Sequence, residues 1–431
     1  MTAREALDRT ALLLRDAVTD EVSEAAIVDR LQSFRVRCIS DWANASTHSG
    51  QSAFVTLVSL IARMGVQVAI DVPDVELVGP QPPLRSNRLS AALVDLGDDL
   101  VPGSSIVCED GTTSDITFLF GDTPAGNVTR GWRVAGKEWA GEISEIDTLC
   151  ARWEGSGPIG GLTAAALAAS EVFKTAVQSL PLRHPAWVER LAPCRSAMWD
   201  FHGEGLALPA GPVAIDIISA GAITQAALFV LLRLPLRLAG RLFDSDVADI
   251  SNINRQMLFR RSESGLKVNI VSRTLTTLYS CIPVPERFTL PTSTPHMPLA
   301  PHVLVGVDDI PARWDVQRAA EAWVGIGGTT HFEGSISSHE PHQPCTGCLH
   351  PVDDPQGGPI PTVSFVSFWV GLALAVRFLR HVGSVPYDSR QQHLWLSPLR
   401  MDKGNAALWR PVSPRLDCPV ACEASRHLLL P

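Results

Sequence analysis

Hydrophobic and polar positions alternate along the first third of the chain in a strand-helix-strand pattern. Arg35–Ser40 has the composition of a short strand, and Ala43–Gly50 is a loop of small residues. Ser52–Met64 carries apolar residues at helical spacing, and Val66–Val72 is a second strand that includes Asp71. Units of this kind build parallel sheets, so the pattern predicts an α/β fold.

A similar series of segments follows in the second half. The pattern predicts two strands, Pro212–Ile218 and Leu238–Phe243, on either side of a helix at Gln225–Leu232. It also predicts a later strand at Val303–Val307. The second of these strands ends at Asp244. The repeated plan predicts that the chain contains two related α/β halves.

Two apolar helices recur at matching places in the two halves. Gly160–Lys174 is rich in alanine, and Thr362–His381 is a long apolar helix. Pro181–Trp199 reads as the connection between the halves, and the proline-rich stretch Pro283–Pro301 reads as a loop.

Composition narrows the possible functions. The chain has 431 residues and a net charge of −9, with 45% hydrophobic and 19% charged residues, which fits two or three globular domains. The negative charge argues against a nucleic-acid partner. The N-terminal residues lack the apolar core of a signal peptide, and the apolar run Val363–Val376 is shorter than a membrane span. We therefore expect a cytoplasmic protein without a membrane partner.

The richest polar motif follows the strand that ends at Asp244. It consists of Asp244-x-Asp246 and then Ser251–Gln256, and Lys267, one of four lysines in the chain, comes soon after. An acid at a strand end can bind a ribose, and Asn, Arg and Lys side chains can bind a triphosphate. Taken singly, Asp244 could cap a loop and Arg255 could form a structural ion pair.

The motif resembles the signature of the ThiF/MoeB/ubiquitin-activating superfamily, in which Asp-x-Asp precedes Ser-Asn-Leu-x-Arg-Gln at the same spacing. The stretch from Asp308 to Arg313 stands where that family has Asp-Asn-x-x-x-Arg after a strand. The alternative for Asp308 beside Asp309 is a solvated turn. The resemblance covers roughly residues 205–425 and, more weakly, the first half. It implies two Rossmann-like ThiF-type modules in one chain, a pseudo-dimer.

The resemblance assigns roles to individual residues. Asp244 would accept hydrogen bonds from the ribose of ATP, while Asn252 and Arg255 would contact the phosphates. Lys267 would neutralise phosphate charge, and Asp308 would coordinate Mg²⁺, which prefers carboxylate oxygen. Cations are needed because a carboxylate that attacks the α-phosphate meets negative charge.

The sequence departs from the family pattern at two places. The glycine-rich turn of the family appears here as Ser219–Thr224, in which Gly221 is retained and the other replacements add bulk. Lys267 lies two residues after Gly265, whereas the family places the lysine three residues after. Altered ATP binding is therefore expected, and a nucleotide pocket without activity is an alternative.

Two close cysteine pairs predict a metal site. Each pair would bring two thiolates together in a short loop, here called a hook, and four thiolates in two hooks suit tetrahedral Zn²⁺. The cysteines of a cytosolic protein stay reduced, which favours a metal ion over disulfides. Two unrelated pairs in loops are the alternative. The family carries a structural zinc at this place, so the resemblance implies that Zn²⁺ is held by Cys345, Cys348, Cys418 and Cys422.

Thioester-forming members of the family carry a cysteine in the loop after the first hook. Here that loop, Leu349–Thr362, contains none, and Cys281 is the best remaining candidate in the second half, although single cysteines are usually buried small hydrophobes. The product would thus be an adenylate alone, or the acyl group would pass directly to a nucleophile of another protein.

The first half resembles an inactive copy of the module. The residues after Asp71 do not contain the Ser-Asn-x-Asn-Arg-Gln motif, and the turn Thr47–Gly50 does not have the sequence of a phosphate-binding loop. An unrelated α/β domain is the alternative. Partner halves in the family donate an N-terminal arginine to the active site, for which Arg9 is the first candidate and Arg15 the second. We place an inactive module at residues 1–190 and an active module with the zinc site at 191–431.

The resemblance implies ATP-dependent adenylation of the C-terminal carboxylate of a ubiquitin-like protein in a bacterial conjugation pathway, with a conjugating enzyme as a further partner. The two-module plan favours this over a sulfur-carrier adenylyltransferase of thiamine or molybdopterin synthesis. A catalytically silent scaffold that binds a ubiquitin-like tail is the main alternative. A dinucleotide-dependent oxidoreductase is disfavoured by the poor glycine fingerprint. The chain would act as a monomeric pseudo-dimer or as a higher homo-oligomer.

Overall fold

The computed structural model describes residues 2–429 apart from 110, 112, 129, 149–156, 203–206, 276–278, 354–357, 359 and 384–386. Part of the predicted crossing loop, Leu349–Thr362, thus lies outside the described residues. In the first half the elements are α1 (Ala3–Ala6), α2 (Asp8–Leu14), α3 (Glu24–Ser33), β1 (Arg35–Ile39), α4 (Trp42–Ala45), α5 (His48–Arg63), β2 (Gln67–Asp71), α6 (Leu89–Asp98), β3 (Ile106–Cys108), β4 (Ile116–Phe120), β5 (Gly131–Lys137), β6 (Ala140–Glu145), α7 (Ile159–Val177), α8 (Pro185–Arg190) and β7 (Ala197–Asp200).

The second half continues the alternation of strands and helices and ends in a longer antiparallel portion. Its elements are β8 (Val213–Ile218), α9 (Ala222–Leu231), β9 (Leu238–Phe243), α10 (Lys267–Thr274), β10 (Tyr279–Val284), β11 (His302–Val305), α11 (Ile310–Ala319), β12 (Trp323–Thr330), β13 (Glu333–His339), α12 (Thr346–Leu349), α13 (Ser364–Val382), β14 (His393–Leu396), β15 (Ala407–Arg410) and α14 (Glu423–Arg426).

The strands form two sheets of the same order. The first runs β3-β2-β1-β4-β5-β6-β7, and the second runs β10-β9-β8-β11-β12-β13-β14-β15. In each sheet the first five strands are parallel and the remaining ones are antiparallel. The protein is therefore a mixed α/β fold with two parallel-dominated sheets, as the sequence predicts. The division at residues 190 and 191 stays a prediction.

The core lies between the sheets and is built by four helices that are buried along almost their whole length. α7 packs against α5, β5 and β6, whereas α13 packs against α9, β12 and β13, and α13 also touches α5 and α7. Most buried apolar residues of both halves form one continuous cluster, and two smaller clusters lie in the second half. A helix that is apolar on all sides is expected only where neighbours surround it.

A glycine sets the close crossing of α9 and α13. A Cβ atom on Gly371 would lie 2.4 Å from the Cβ of Ala226 and 2.6 Å from the carbonyl oxygen of Ile223, so no larger residue fits without movement. The first residues of α9 follow β8 directly, so this contact fixes the helix start at the edge of the sheet where strands β8, β9 and β11 end. The candidate site lies at this edge.

Several boundaries differ from the sequence predictions. The helix predicted at Ser52–Met64 begins earlier, at His48. Thr47 is its N-cap residue, since the Thr47 side chain accepts a hydrogen bond from the Gly50 N–H in the first turn. The small-residue loop before it contains the short helix α4. The stretch Pro181–Trp199, predicted as a connection, holds α8 and most of the edge strand β7.

One helix among the described residues, Ser364–Val382, is long and apolar enough to cross a bilayer by those two criteria alone. It is longer than the apolar run recognised in the sequence. Its most apolar window is 83% buried against the rest of the protein, which identifies it as a core helix.

Candidate active site

A cavity of about 1500 Å³ opens at the carboxyl ends of β8, β9 and β11. In parallel sheets this edge is the usual place for ligands. All the nucleotide-site and catalytic residues that the sequence nominates line it, namely Arg9, Gly221, Asp244, Asn252, Arg255, Lys267 and Asp308. The structure therefore brings together residues that are up to 299 positions apart (308 minus 9).

Asp244 is fixed by backbone donors at the end of β9. One carboxylate oxygen accepts the N–H of Ala220 at 2.7 Å, and the other accepts the N–H of Asp246 at 2.8 Å. Burial raises the pKa of Asp244 above its ordinary value, while the positive charge of Lys267 opposes this rise. The carboxylate is held rigidly and keeps further lone pairs with which it can accept hydroxyl groups.

Lys267 pairs with an acid that also lines the cavity. Its ammonium group donates to Asp246 at 2.7 Å, and its side chain is only 10% exposed. The lysine reaches the cavity despite its shifted place in the sequence. To bind a phosphate it would have to share or leave the carboxylate of Asp246.

Arg255 and Arg9 bring two positive charges to the cavity from opposite halves of the chain. Arg255 donates to the carbonyl oxygen of Ser251 and to the side chain of Asn254, and no carboxylate among the described residues accepts a hydrogen bond from it. Burial and then the nearby charge of Arg9 lower the pKa of Arg255 to about 10. Arg15, the second candidate for the donated arginine, lies outside the cavity and pairs with Glu24 at 3.8 Å.

The two neighbouring acids after β11 have different environments. Asp309 caps α11 by accepting the N–H of Ala312, and it pairs with Arg287. Asp308 is exposed to the cavity and has no hydrogen bond or ion pair among the described residues. Its charge acts on Arg255 and on Arg313, raising the pKa of both against the larger effect of their burial. Asp308 is thus the free carboxylate of the pair and the one that could hold Mg²⁺.

Asn252 lies on the same wall of the cavity and is nearly buried. Its side-chain oxygen accepts the N–H of Asp249 at 3.0 Å and closes a capping box around the short turn Ile250–Asn252. The amide oxygen is therefore used structurally, which leaves the NH₂ group as the part that could face a phosphate.

The glycine-poor turn after β8 leaves the cavity open. Ser219 adopts a φ of +90°, a conformation that favours glycine, and its hydroxyl accepts the N–H of Gly221 at 3.0 Å. Thr224 was expected to add bulk here, but it is buried, donates to the carbonyl oxygen of Ser219 at 2.6 Å and does not line the cavity. Its methyl group occupies the space that a Cβ on Gly306 would need, at 2.8 Å.

Two family models match parts of the sequence. The model of the ThiF family matches residues 217–411, which include the site after β8, β9 and β11. The chain carries a ThiF family domain. The model described as the BilD N-terminal domain matches residues 35–184 of the first half. No curated protein matches the sequence.

Solved structures with detectable similarity include MccB of E. coli with MccA-N7isoASN, at 15% identity and a TM-score of 0.41 over 48% of this chain and 66% of that chain. MccB of E. coli with ATP gives 15% identity and a TM-score of 0.40 over 48% and 65%, respectively. PaaA gives 14% and 0.38 over 46% and 64%. The chain thus spans just under two thirds of the length of these proteins.

Sequence reasoning missed the far end of the cavity of the ThiF domain. There the wall is formed by the β12–β13 hairpin, with Gly327, Gly328 and Gly334 beside Glu333 and Trp395. These positions carry no motif that would single them out in the sequence, because their proximity depends on antiparallel pairing of β12 with β13. The backbone of this hairpin therefore forms part of the cavity wall.

The corresponding edge of the first sheet carries different residues. Its strand register places Val72 where the ThiF domain has Asp244 and places Asp122 where it has Asp308. Asn44 is buried beside Asp122 and donates to Asp41, to the carbonyl oxygen of Phe120 and to Asp122 at 2.8, 3.1 and 3.2 Å. The position that corresponds to the ribose acid is thus apolar, and the acid that corresponds to Asp308 is engaged by an amide.

The four predicted cysteine ligands of the second half form one cluster. All four sulfur atoms lie within 4.8 Å of one another, with Cys345 and Cys418 3.5 Å apart and Cys348 and Cys422 3.6 Å apart. Tetrahedral Zn²⁺ with Zn–S bonds of about 2.3 Å requires sulfur separations of about 3.8 Å, so the donor set fits this ion. The cluster is separate from the cavity lining, which favours a structural role.

Cys281 does not reach the candidate active site. It lies on edge strand β10, outside the cavity lining, and its nearest polar partner is the hydroxyl of Ser272 at 3.8 Å. Burial raises the pKa of the Cys281 thiol, which disfavours the reactive thiolate.

Proposed function

We propose that the protein uses ATP and Mg²⁺ to adenylate the C-terminal carboxylate of a ubiquitin-like protein in a bacterial, cytoplasmic conjugation pathway. The observation that carries the proposal is the convergence of Arg9, Asp244, Arg255 and Asp308 on one cavity of a ThiF domain. These groups supply an acceptor for the ribose, positive charge for the phosphates and a free carboxylate for a metal ion.

In the proposed reaction a carboxylate oxygen of the partner attacks the α-phosphorus of ATP. A new oxygen–phosphorus bond forms, the bond to the bridging oxygen of the β-phosphate breaks, and pyrophosphate leaves with that electron pair. Mg²⁺ would neutralise charge on the phosphates. Arg255 and Arg9 would stabilise the negative charge that spreads over the phosphate oxygens, and their partial burial strengthens this interaction.

The β12–β13 wall of the cavity supports a protein substrate rather than a small acid. Gly327, Gly328 and Gly334 line this wall without side chains, because a Cβ at these positions would meet Val370, Ile223 or Arg313. An extended tail of small residues could lie along this wall with its carboxylate near Asp308. The identity of the tail as that of a ubiquitin-like protein belongs to the proposal.

We further propose that residues 1–190 are a non-catalytic ThiF-like module, so that the chain is a pseudo-dimer. Three observations support this: the first seven strands of both sheets have the same order, Val72 stands at the place of the ribose acid, and Asn44 donates to Asp122. The module's contribution to chemistry would be Arg9, which reaches the cavity from α2.

The acyl group would pass from the adenylate to another protein. The loop Leu349–Thr362 contains no cysteine in its sequence, and Cys281 lies away from the cavity. A thiol or amine of a second protein, such as a conjugating enzyme, would then enter the cavity and attack the acyl carbon, releasing AMP.

The test is exchange of pyrophosphate into ATP in the presence of the ubiquitin-like partner. Asp308→Ala is expected to lower exchange at least a hundredfold because the free carboxylate is lost. The matched control is Asp122→Ala, which removes the acid at the corresponding place of the first sheet and should leave exchange within about twofold. Equal rates for wild type and Asp308→Ala would refute the role of Asp308.

A silent scaffold is the second candidate function, because two expected phosphate contacts are occupied within the protein. Lys267 pairs with Asp246, and the N–H of Gly221 is bonded to Ser219. A scaffold would bind the partner tail with the same affinity with and without ATP and would show no exchange. Exchange that depends on the partner would exclude it.

A further inference from the structure

A fully buried arginine of the first half holds the segment that carries the phosphate-binding residues. Arg63, the last residue of α5, donates to the carbonyl oxygens of Ile253, Met257 and Phe259 at 2.8, 2.9 and 2.8 Å. These three acceptors lie between positions 253 and 259 of the sequence, in the segment that follows Asn252 and contains Arg255. The contact thus runs from the first sheet's helix layer to the wall of the cavity in the second half.

The held segment needs support from outside. After the short turn Ile250–Asn252 it forms no helix or strand up to α10, so its backbone groups find few partners in regular structure. Gln225 accepts the N–H of Leu258 at 3.1 Å and donates to the Gln256 side chain at 2.9 Å. Arg63 supplies the three carbonyl contacts that those side chains do not make.

An arginine suits this place for a chemical reason. A buried guanidinium without a carboxylate partner is costly unless its N–H groups are used, and its rigid fork can reach several acceptors at once. Burial and the charge of Arg260 lower the pKa of Arg63 to about 9. A lysine offers a point charge on a flexible stem and could not hold three carbonyl groups in fixed positions.

A second buried arginine makes the reverse contact. Arg233, just after α9, donates to the carbonyl oxygens of Phe229 and Pro82 at 2.7 and 2.8 Å and to the side chain of Gln81 at 3.1 Å. It reaches into the segment after β2 of the first sheet, as Arg63 reaches into the segment after β9. The two arginines are both fully buried and each makes three hydrogen bonds, but only the segment held by Arg63 carries residues of the candidate active site.

We propose that Arg63 is a positioning residue for nucleotide binding, through which the first half fixes the backbone of residues 253–259 and so directs Arg255 and Asn252 at the phosphates of ATP. This inference rests on the proposed function. It assigns the first half a second contribution to the reaction, in addition to Arg9, made without contact to the substrate.

The test compares Arg63→Lys with Arg233→Lys in the full chain. Both variants keep a long basic side chain and lose the planar fork of donors, and both should lower the melting temperature by a similar amount. Arg63→Lys is expected to raise KM for ATP about tenfold or more with a smaller change in kcat, since a misplacement near 1 Å can cost up to about a hundredfold. Arg233→Lys should leave KM for ATP within about twofold.

Hydrogen exchange of the amides in residues 250–260, measured without nucleotide, completes the test. We expect faster exchange in Arg63→Lys than in wild type and no such change in Arg233→Lys. Unchanged protection, or equal effects of both variants on KM, would overturn the positioning role. Absence of pyrophosphate exchange in the wild type would instead overturn the proposed function, and amide protection would still decide whether Arg63 orders the segment.

Discussion

The strongest structural prediction concerns the pair Thr224 and Gly306 beneath the turn after β8. In Gly306→Ala the new Cβ would lie 2.8 Å from the Thr224 methyl carbon, well inside the ordinary carbon–carbon contact of about 3.5–4.0 Å. Thr224 cannot rotate away without losing its hydrogen bond to the Ser219 carbonyl oxygen, 2.6 Å long. We therefore expect a loss of about 1–3 kcal/mol in the free energy of unfolding, typical of an overpacked core.

Thr224→Ser removes the methyl group that causes the overlap and keeps the hydroxyl. Alone it should cost about 1 kcal/mol for one buried methyl group. Combined with Gly306→Ala it should restore most of the lost stability, so that the two substitutions are non-additive by at least about 1 kcal/mol. Because Ser219 lines the cavity, Gly306→Ala should also raise KM for ATP, and the double variant should reverse this rise.

Thermal unfolding and pyrophosphate exchange of the four proteins measure both effects. Gly404→Ala is the matched control, since a Cβ at this position has no heavy atom within 4 Å and stability should hardly change. Two results would refute the reasoning. Either Gly306→Ala is as stable as wild type, or the double variant loses the sum of the single losses.

Two further predictions concern the metal site and pH. A strong zinc chelator should lower the melting temperature at concentrations that leave pyrophosphate exchange intact, and Cys418→Ser should lower the melting temperature without chelator. The control Cys281→Ser should leave both the melting temperature and the exchange rate unchanged. Loss of exchange without loss of stability would contradict a structural metal. Burial lowers the pKa of His339 to about 4, so the unfolded chain binds a proton that the folded protein does not between about pH 6.5 and 4. Stability should therefore fall as pH decreases through this window, by up to about 3 kcal/mol, and urea unfolding of His339→Gln should show a flatter pH dependence; an unchanged slope would contradict the assignment.

The parts of the fold that the sequence predicts are those with a local signal. Strands β8 and β9 and the long helix α13 are runs of apolar residues with recognisable ends, and their predicted bounds differ from the observed ones by only a few residues. The sequence does not predict strands β12–β15, since glycines and hydroxyl residues interrupt the apolar alternation of β12 and β13. Their pairing depends on long-range contacts.

The candidate site was predictable where chemistry follows a motif. Asp244, Arg255 and Asp308 stand in a spaced pattern, and the four cysteines form two hooks. Arg63 has no such signal, because it is one arginine at the end of an apolar helix and its role depends on a packing contact with residues 190 or more positions away. The consequence of Thr224 was also misjudged from the sequence, which does not reveal that Gly306 provides the space for its methyl group.

The shared core has a consequence for how such a chain can change over evolutionary time. The inner helices α5 and α7 touch α13, and the hydroxyl of Ser364 at the start of α13 donates to the carbonyl oxygen of Leu60 in α5. A mutation on the inner surface of α5 or α7 in the first half therefore also changes the packing of α13 in the second half, which holds the cavity. Sequence drift in the first half should thus be slow along its inner helices and rapid at its outer margin, such as the exposed edge strand Ile106–Cys108.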